Sequence, residues 1–364
     1  MDADYQKREV KAVDAIKKAI PSSLKQDMLS MSKGMFAELY ESKVFPQHYM
    51  AVGIDGVGTK LILAEAMHKF DTVGIDLVAM SANDLATLGA VSPFLFIDYF
   101  AVQDKIQEEG IAGEIMKGIV NGLKQCDCSD ILRNSIKINL GKGETASVDE
   151  LISAARPGYG FDIAGAMIGF IEKNKIHTKI EPGDKIIALK SSGPHSNGYT
   201  DLRLKLLNGD FETRPAFKKR YQGKFSLADK FEGKTIGEHL LEPTKIYSKI
   251  IAKIADKFPI IGVNNTGYGL KNLNRHQGKF EFVINDPIKP QPIFDLVQKE
   301  AGYSDKEMYQ KFNMGQGFFM VCKEEDADDI VKISKGQLVG EVRKKDKTRT
   351  ILIKDDKEIV FEGY

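Results

Sequence analysis

Apolar residues recur every three or four positions in several segments of the chain, a spacing that predicts amphipathic helices. The clearest case is 108–124, where three isoleucines and a leucine lie four residues apart. Pro21 ends the first periodic segment, and Gly89 ends the second. The predicted helices cover 7–20, 76–88, 108–124, 199–208, 244–257, 293–311 and 325–334.

Short apolar or alternating runs lie between these helices, and they predict strands. One of them, 94–100, is rich in aromatic residues, and the last two are expected to form a hairpin that turns at Asp355 and Asp356. The predicted strands cover 49–52, 94–100, 136–140, 161–171, 185–189, 259–263, 280–284, 317–322, 338–342, 350–354 and 358–361.

A polar stretch at 172–184, which contains Pro182 and Gly183, separates two series of such elements. The interspersed strands and helices predict two α/β domains with mixed sheets, and they do not fit a regular alternating barrel. We place the boundary at the start of the polar stretch, which gives an amino-terminal domain over 1–170 and a carboxy-terminal domain over 171–364.

Length and charge agree with this picture and exclude some classes of function. The chain has 364 residues, enough for about two domains. Its 52 Lys and Arg residues balance 51 Asp and Glu residues, so charge gives no argument for binding nucleic acid or an anionic membrane. No apolar run approaches the roughly 20 residues of a membrane helix. The acidic amino terminus lacks a signal-peptide core, so we expect a cytoplasmic protein.

The three cysteines do not suggest a disulfide framework, because their number is odd and small. Cys126 and Cys128 form a C-x-C pair without a second pair or a histidine cluster nearby. The pair is consistent either with zinc ligation or with two incidental thiols in a loop.

The segment 53–60 reads Gly-Ile-Asp-Gly-Val-Gly-Thr-Lys and follows a predicted strand. Glycines let the backbone approach a ligand closely. An aspartate can hold a hard cation, and a lysine can neutralise phosphate. The segment lacks the end of a Walker A loop and is not Gly-x-Gly-x-x-Gly. The pattern therefore fits either a nucleotide-phosphate site or an ordinary glycine-rich turn.

Polar residues also occupy positions where apolar ones are expected. Asp76 and Asn83 are seven residues apart on a predicted helix and therefore share a face, among neighbours that favour burial. A buried carboxylate is costly unless it is paired or bound to a cation, so Asp76 is either a metal ligand or part of an acidic first turn. Asp98 interrupts the aromatic strand, and Glu144 follows the strand predicted at 136–140. Acids at several strand ends suggest a Mg²⁺ cluster.

A second polar loop runs from Ser191 to Tyr199, between a predicted strand and a predicted helix. Hydroxyls, amides and free backbone N–H groups at the start of a helix make an anion site. His195 in this loop is open to three interpretations: a phosphate ligand, a catalytic acid or base, or a histidine that caps the loop.

These motifs in this order resemble the phosphoribosylformylglycinamidine cyclo-ligase family, also called aminoimidazole ribonucleotide synthetase. The resemblance covers most of the chain, from about 49 to 322. Several of the motifs are shared with a wider superfamily that includes formylglycinamidine ribonucleotide synthetase, selenophosphate synthetase, thiamine-phosphate kinase and a hydrogenase maturation protein. The residues that carry it are 55–60, 74–80, 83–85, 96–99, 143–146, 162–165, 191–199, 241–247 and 312–315.

The resemblance implies the fold and the activity. Each chain would form two α/β domains, and the amino-terminal domains of two chains would pair into a shared β-barrel in a homodimer. The family closes the imidazole ring of formylglycinamidine ribonucleotide, a small-molecule ribonucleotide, in purine biosynthesis. ATP is expected to phosphorylate the formyl oxygen, with Mg²⁺ at the acids. The partners are thus expected to be small molecules and a second copy of the chain, without nucleic acid or membrane.

The resemblance also implies roles for individual residues. Lys60 would lie against the ATP phosphates, and His195 is the candidate for acid/base work. The ATP site would comprise Asp55, Gly56, Val57, Gly58, Thr59, Lys60 and Asn83. The substrate side would comprise Ser191, Ser192, Gly193, His195, Ser196 and Asn197. The Mg²⁺ ligands would come from Asp55, Asp76, Asp84, Asp98 and Glu144.

The sequence departs from the family pattern in the second half. Where the family usually has His-Ile-Thr-Gly-Gly-Gly-Leu, this chain has Asn264 in place of the histidine and Tyr268 in place of the middle glycine. A tyrosine at a position of close backbone approach should block or reshape that pocket. Two alternatives therefore remain: a divergent superfamily enzyme that phosphorylates a different small amide or acid, and a nucleotide-binding protein without turnover.

Overall fold

The computed structural model describes residues 11–13, 15–133 and 136–364. Residues 11–13 and 15–19 are helical, in agreement with the helix predicted over 7–20, and the first residues of that prediction lie outside the described part. The remaining elements form two mixed sheets with helices, so the predicted α/β class with mixed sheets is confirmed.

The first half of the chain builds a six-stranded sheet in which β1, β2, β6 and β3 are antiparallel neighbours. The short strands β4 and β5 both pair parallel to β3. The described strands of this chain form an open sheet, and the β-barrel expected across two chains stays a prediction. The strands are β1 (Glu38–Glu41), β2 (His48–Gly56), β3 (Ser92–Val102), β4 (Asn139–Leu140), β5 (Glu144–Ser147) and β6 (Phe161–Glu172).

Four helices belong to this half: α1 (Leu61–Met67), α2 (Asp71–Ala86), α3 (Asp104–Glu108) and α4 (Ile111–Cys126). Helix α2 packs on the sheet against β2 and β6, and α4 packs against α2. Two glycines let α2 and α4 pack with their backbones in contact. A Cβ at Gly74 would lie 2.1 Å from the Ile115 carbonyl oxygen, and a Cβ at Gly118 would lie 1.9 Å from that of Asp71. No larger residue fits at either position without moving one of the helices.

The second half builds a seven-stranded sheet in the order β10-β12-β7-β13-β11-β14-β15. Only β11 and β14 pair parallel. The predicted hairpin is confirmed: Asp355 and Asp356 both have positive φ angles, 49° and 59°, as a two-residue hairpin turn requires. The strands are β7 (Lys185–Lys190), β10 (Ile260–Asn264), β11 (Phe280–Ile284), β12 (Gln316–Cys322), β13 (Gln337–Lys344), β14 (Arg349–Lys354) and β15 (Lys357–Glu362), with a separate hairpin of β8 (Lys230–Phe231) and β9 (Lys234–Thr235).

The helices of the second half are α5 (Tyr199–Leu206), α6 (Pro215–Lys218), α7 (Ile236–Leu240), α8 (Ser248–Ala255), α9 (Pro292–Ala301), α10 (Asp305–Lys311) and α11 (Ala327–Ser334). Residues 269–275 form a 3₁₀ helix between β10 and β11. Each helix of the described residues is too short or too polar to span a bilayer.

Most predicted elements differ by a few residues from the bounds in the structure, and four of these differences concern where an element pairs, starts or is interrupted. The strand predicted at 136–140 is paired only over its last two residues, which lie opposite Leu95 and Phe96 of β3. The helix predicted at 76–88 begins at Asp71 and ends at Ala86. The helix predicted at 244–257 is helical only over Ser248–Ala255, and the helical segment predicted at 293–311 is split by Gly302, whose φ is 66°.

Candidate active site

A cavity of about 710 Å³ opens between the two halves of the chain, and both polar loops of the sequence analysis line it. The first half contributes residues 55–59, and the second half contributes residues 196–201. The hydroxyl groups of Thr59 and Thr200, one from each loop, lie 3.3 Å apart. The volume is in the range of a small-molecule site.

The glycine-rich loop begins where β2 ends, at Gly56. Gly58 has a φ of 68°, a left-handed conformation that favours glycine, and it starts a 3₁₀ turn over Gly58–Lys60. The Gly56 N–H donates to Oδ1 of Asp55 at 2.7 Å. The loop therefore turns sharply at the edge of the cavity, with Val57, Gly58 and Thr59 along its wall.

Two carboxylates, Asp55 and Asp84, line the cavity beside this loop. Burial raises the pKa of Asp84 to about 7, and the charge of Asp55 adds to that rise. Burial also raises the pKa of Asp55, and the hydrogen bond from the Gly56 N–H partly opposes that rise. Asn264 donates to Oδ1 of Asp84 at 2.8 Å. The two acids thus bring negative charge into a partly dry site, where a cation would stabilise both.

Lys60 does not line the cavity, although it follows the loop directly. Its side chain is fully buried, and Nζ lies 2.9 Å from Oδ1 and 2.8 Å from Oδ2 of Asp76. Nζ also donates to the carbonyl oxygens of His195 at 3.0 Å and Glu242 at 2.8 Å. Burial lowers the Lys60 pKa, and the charge of Asp76 opposes that effect. The pair therefore joins helix α2 to two loops of the second half.

Asp76 and Asn83 share one face of α2, as their spacing predicts, and both hold the segment after Glu242. The backbone N–H and the hydroxyl of Thr244 donate to Oδ1 of Asp76 at 2.7 and 2.6 Å. Asn83 accepts from the Tyr247 N–H at 2.8 Å and donates to the Lys245 carbonyl at 2.9 Å. Neither side chain lines the cavity, so this face connects the two halves of the protein.

His195 lies behind its loop, 2% exposed, with a φ of 62°. Its Nε2 accepts a hydrogen bond from the Ser192 N–H at 3.3 Å. Burial lowers the His195 pKa to about 3, and the charges of Lys60 and Lys245 contribute to that shift. The ring is therefore neutral near pH 7 and orders the loop from inside.

The other residues of this loop divide into a supporting group and a cavity group. Ser192 donates to the Pro243 carbonyl at 2.6 Å, Gly193 accepts from Asn313 at 2.9 Å, and Gln291 donates to the Ser191 carbonyl at 2.5 Å. These contacts fix the start of the loop. Ser196 and Asn197 line the cavity immediately before helix α5, where free N–H groups suit an anion.

Asp98 and Glu144 lie away from the cavity. Asp98 is opposite Gly165 in β6, and Asp55 is opposite the same glycine from the other side. Two strand spacings, about 10 Å, therefore separate the two aspartates. Asp98 is half-buried, with Oδ2 buried and unpaired, and burial raises its pKa; Glu144 is exposed on β5. Across the described ranges, no three acidic, histidine or cysteine side chains converge as a metal site.

All three cysteines are buried, and each keeps its thiol outside a disulfide. Burial raises the pKa of Cys128 to about 12, and it also raises the pKa of Cys126. Thiols this hard to deprotonate are poor nucleophiles and poor metal ligands.

The structure adds cavity residues that the sequence analysis did not assign. Two arginines bring cations to the wall. Arg220 is exposed in a charged insert around 209–235, and Arg275 lies on the 3₁₀ helix. Lys311 also lines the cavity, where it is paired with Asp201 at 2.7 Å. Asp162, part of the motif at 162–165, lines the cavity as well. Arg220 had a usable signal, because it lies in a charged insert close to the loop at 191–199, whereas nothing local marked Arg275.

The two family departures both lie at this cavity or beside it. Asn264 holds Asp84. Tyr268 lines the cavity, and its ring centroid lies 5.2 Å from that of Tyr364. The tyrosine therefore shapes the wall, as its position in the motif predicts.

Comparison with known proteins places both halves in one group of families. "AIR synthase related protein, N-terminal domain" matches residues 39–171, and "AIR synthase related protein, C-terminal domain" matches residues 181–353. The chain is 38% identical over 304 residues to a phosphoribosylformylglycinamidine cyclo-ligase of Methanosarcina barkeri, covering 82% of this chain and 81% of the relative. It is 38% identical over 348 residues to the protein of that name from Clostridium botulinum, covering 93% of this chain and 94% of the relative.

Solved structures show the same fold at low sequence identity. One is described as AaThiL complexed with AMPPCP and TMP; it covers 98% of this chain and 97% of its own, with a TM-score of 0.57 and 12% identity. At that identity the likeness concerns the fold alone.

Proposed function

Since the chain belongs to the phosphoribosylformylglycinamidine cyclo-ligase family, we propose that it is an ATP-dependent cyclo-ligase that converts formylglycinamidine ribonucleotide to aminoimidazole ribonucleotide. The observation that supports this most is the meeting of both predicted loops in one cavity, with Thr59 and Thr200 in contact. A nucleotide and a ribonucleotide substrate could then react between the two halves of the chain.

The proposed chemistry transfers the γ-phosphoryl group of ATP to the formyl oxygen, leaving ADP. The ring-closing nitrogen attacks the activated formyl carbon, the C–O bond breaks, and phosphate carries the oxygen away while the nitrogen loses a proton. Phosphoryl transfer depends mainly on positioning and on stabilising charge. The cavity offers both, through the loop at 56–59, the start of helix α5 and Arg220.

Mg²⁺ would neutralise the triphosphate, and the acids in the cavity fit it in part. Asp55 and Asp84 are two oxygen donors whose charges are poorly compensated, and Mg²⁺ favours a few carboxylates together with phosphate oxygens and water. Asp76 is already committed to Lys60 and Thr244. Asp98, whose Oδ2 is unpaired, and Glu144 lie farther away. That they bind Mg²⁺ remains a prediction.

Lys60, Asn83 and His195 have positioning roles in this proposal. Each is buried and is next in sequence to a cavity residue: Lys60 follows Thr59, Asn83 precedes Asp84, and His195 precedes Ser196. Each also forms a hydrogen bond with a backbone group of the second half, which fixes its position. The amino-terminal part, 1–170, would then carry ATP, and 171–364 would supply the substrate side. A cytoplasmic location stays a prediction.

The test is product formation by the purified protein with ATP, Mg²⁺ and formylglycinamidine ribonucleotide. We expect aminoimidazole ribonucleotide and ADP in equal amounts, and little ADP when the ribonucleotide is omitted. The matched control is an Asp55→Asn/Asp84→Asn variant, which should fold but make neither product. ADP that appears only with a different amide or acid would favour the divergent-enzyme alternative, and nucleotide binding without turnover would contradict the proposal.

We also propose that two chains pair through the outer face of the first sheet. Ile54 is 73% exposed and Ile97 is 38% exposed, and both are opposite Ala166, so they form one apolar row. Tyr99, two residues after Ile97 on β3, is 43% exposed on the same face. An exposed apolar sheet face of this kind is typical of an interaction surface, and a second copy would cover it.

Ile54→Lys should therefore convert a dimer to a monomer, because it places a charge in the middle of that row. We expect the dimer dissociation constant to rise at least about 100-fold, which corresponds to about 2.7 kcal/mol, measured by analytical ultracentrifugation. Leu338→Lys, at a residue of similar kind that is 42% exposed on the second sheet, is the control and should stay dimeric. A wild-type monomer at micromolar concentration would exclude this pairing.

A further inference from the structure

A second cavity, of about 720 Å³, lies on the other side of Arg275 and Met35, which line both cavities. Its walls come from residues 31–39, 176–182 and 275–280. We propose that it binds a phosphorylated small organic molecule, and that this ligand alters nucleotide binding in the first cavity through Arg275. The effect on nucleotide binding rests on the proposed function, whereas the binding itself does not.

The charge of this second cavity favours an anion. Lys33 and Lys279 are exposed at its wall, and neither forms an ion pair with a carboxylate of the described residues. Lys179 is paired with Glu181 at 2.5 Å, and Glu181 is shared with Lys323 at 2.8 Å. Glu181 is the one acid among the lining residues, so the cations outnumber it.

Two histidines also face this space, and both are neutral near pH 7. Burial and the charge of Lys175 lower the pKa of His177. Burial lowers the pKa of His276 to about 4, with a contribution from Arg275 and with the Gly262 backbone opposing it. Neutral imidazoles can donate a hydrogen bond to phosphate but add no charge. The electrostatic attraction of an anion to this cavity therefore depends on the lysines and Arg275.

Apolar side chains fill the rest of the wall, which is why the ligand should have an organic part. Met31, Leu39, Leu88, Ile261 and Phe280 line the cavity between the charged groups. An inorganic anion would leave this surface in contact with water, whereas a sugar or a base would cover it. The volume accommodates a molecule of nucleotide size.

Arg275 is the link between the two cavities. Its Nη1 donates to the Gly34 carbonyl at 2.9 Å, and its guanidinium lies 4.2 Å from the Phe36 ring centroid and 4.0 Å from that of Tyr364. Its Nε is buried without a hydrogen-bond partner. The charge of Asp84 in the first cavity also acts on Arg275. A phosphate group that attracts this guanidinium would weaken its influence on Asp84.

The coupling should be reciprocal, because a ligand that changes ATP affinity must have its own affinity changed by ATP to the same degree. Couplings of this kind are typically 5–150-fold.

The binding test uses ribose 5-phosphate as the probe, titrated calorimetrically into the protein at saturating Mg-ATP. We expect a saturable site in the wild type that weakens at least tenfold in Lys33→Glu/Lys279→Glu. The control, Lys253→Glu/Lys299→Glu, reverses two other exposed lysines and should bind like the wild type. Equal binding by both double variants would overturn the proposed site, whether or not the enzyme closes a ring.

The coupling is tested by the ATP dissociation constant with and without ribose 5-phosphate. We expect a change of at least about fivefold in the wild type and none in Arg275→Lys, whose compact ammonium cannot make the same planar contacts. An unchanged ATP constant in the wild type at saturating probe would overturn the coupling.

Discussion

Asp76→Ala is expected to destabilise the protein by about 3–5 kcal/mol, because it leaves the Lys60 ammonium buried without a counter-charge. Both side chains of the pair are fully buried, and Asp76 also accepts the Thr244 N–H and hydroxyl. The loss should appear as a lower midpoint in urea unfolding. Since the pair joins the two halves, the variant should also unfold in two steps.

Asp329→Ala is the matched control for this prediction. Asp329 forms an ion pair with Lys332 at 3.4 Å, and their side chains are 62% and 77% exposed. Exposed pairs contribute about 0–1 kcal/mol, so the midpoint should hardly move. If Asp76→Ala kept its stability but lost Mg²⁺-dependent ATP use, Asp76 would be a metal ligand, as one interpretation of the sequence had it.

The two interpretations of Asp76 show that a local sequence pattern can predict which residues are buried but not what they contact. The seven-residue spacing correctly places Asp76 and Asn83 on one buried face of a helix. It does not reveal what lies opposite that face, because the partner segment at 244–247 is more than 160 residues away. A buried acid therefore looks the same in sequence whether its partner is a metal ion or a lysine.

Lys60 illustrates the same limit over a shorter distance. The glycine-rich pattern correctly predicts a loop at the end of a strand, and residues 55–59 line the cavity. The 3₁₀ turn at Gly58–Lys60 then directs the lysine to the back of the loop. A rotation of the backbone by one turn decides whether this lysine faces the cavity as a phosphate ligand or is buried behind the loop. The residue types of the segment do not determine that rotation.

The sequence predicts the overall fold better than it predicts the site. Hydrophobic periodicity found most strands and the longer helices, because burial of one face imposes a period on the sequence. Helix α1 was missed, since only seven residues follow the loop before the chain turns at His68. Cavity residues such as Arg275 come from a segment without a motif, and only the packing of the two halves brings them to Asp84.

The pH dependence of nucleotide binding is the other prediction with a large expected effect, and it depends on Asp84. With the Asp84 pKa raised to about 7 by burial and the charge of Asp55, the carboxyl is mostly protonated at pH 6 and mostly ionised at pH 8. If the ionised form holds Mg-ATP, affinity should fall about tenfold for each pH unit below 7. Calorimetric titration of the non-hydrolysed analogue AMPPCP with Mg²⁺ between pH 5.5 and 8.5 measures this directly.

Asp84→Asn should remove this pH dependence and weaken Mg-AMPPCP binding at pH 8 by about 100-fold, while leaving the hydrogen bond from Asn264 in place.

The same substitution should weaken nucleotide binding but raise the free energy of unfolding at high pH. The folded protein keeps the Asp84 proton up to about pH 7, whereas the unfolded chain loses it near pH 4, so the wild type loses stability as pH rises between those values. The asparagine variant has no such loss and should be roughly 4 kcal/mol more stable than the wild type at pH 8. Asp328→Asn, at an exposed acid of helix α11, is the control for binding and should bind like the wild type. If Asp98→Asn weakened Mg-AMPPCP binding as much as Asp84→Asn, the metal would lie nearer to β3 than we propose.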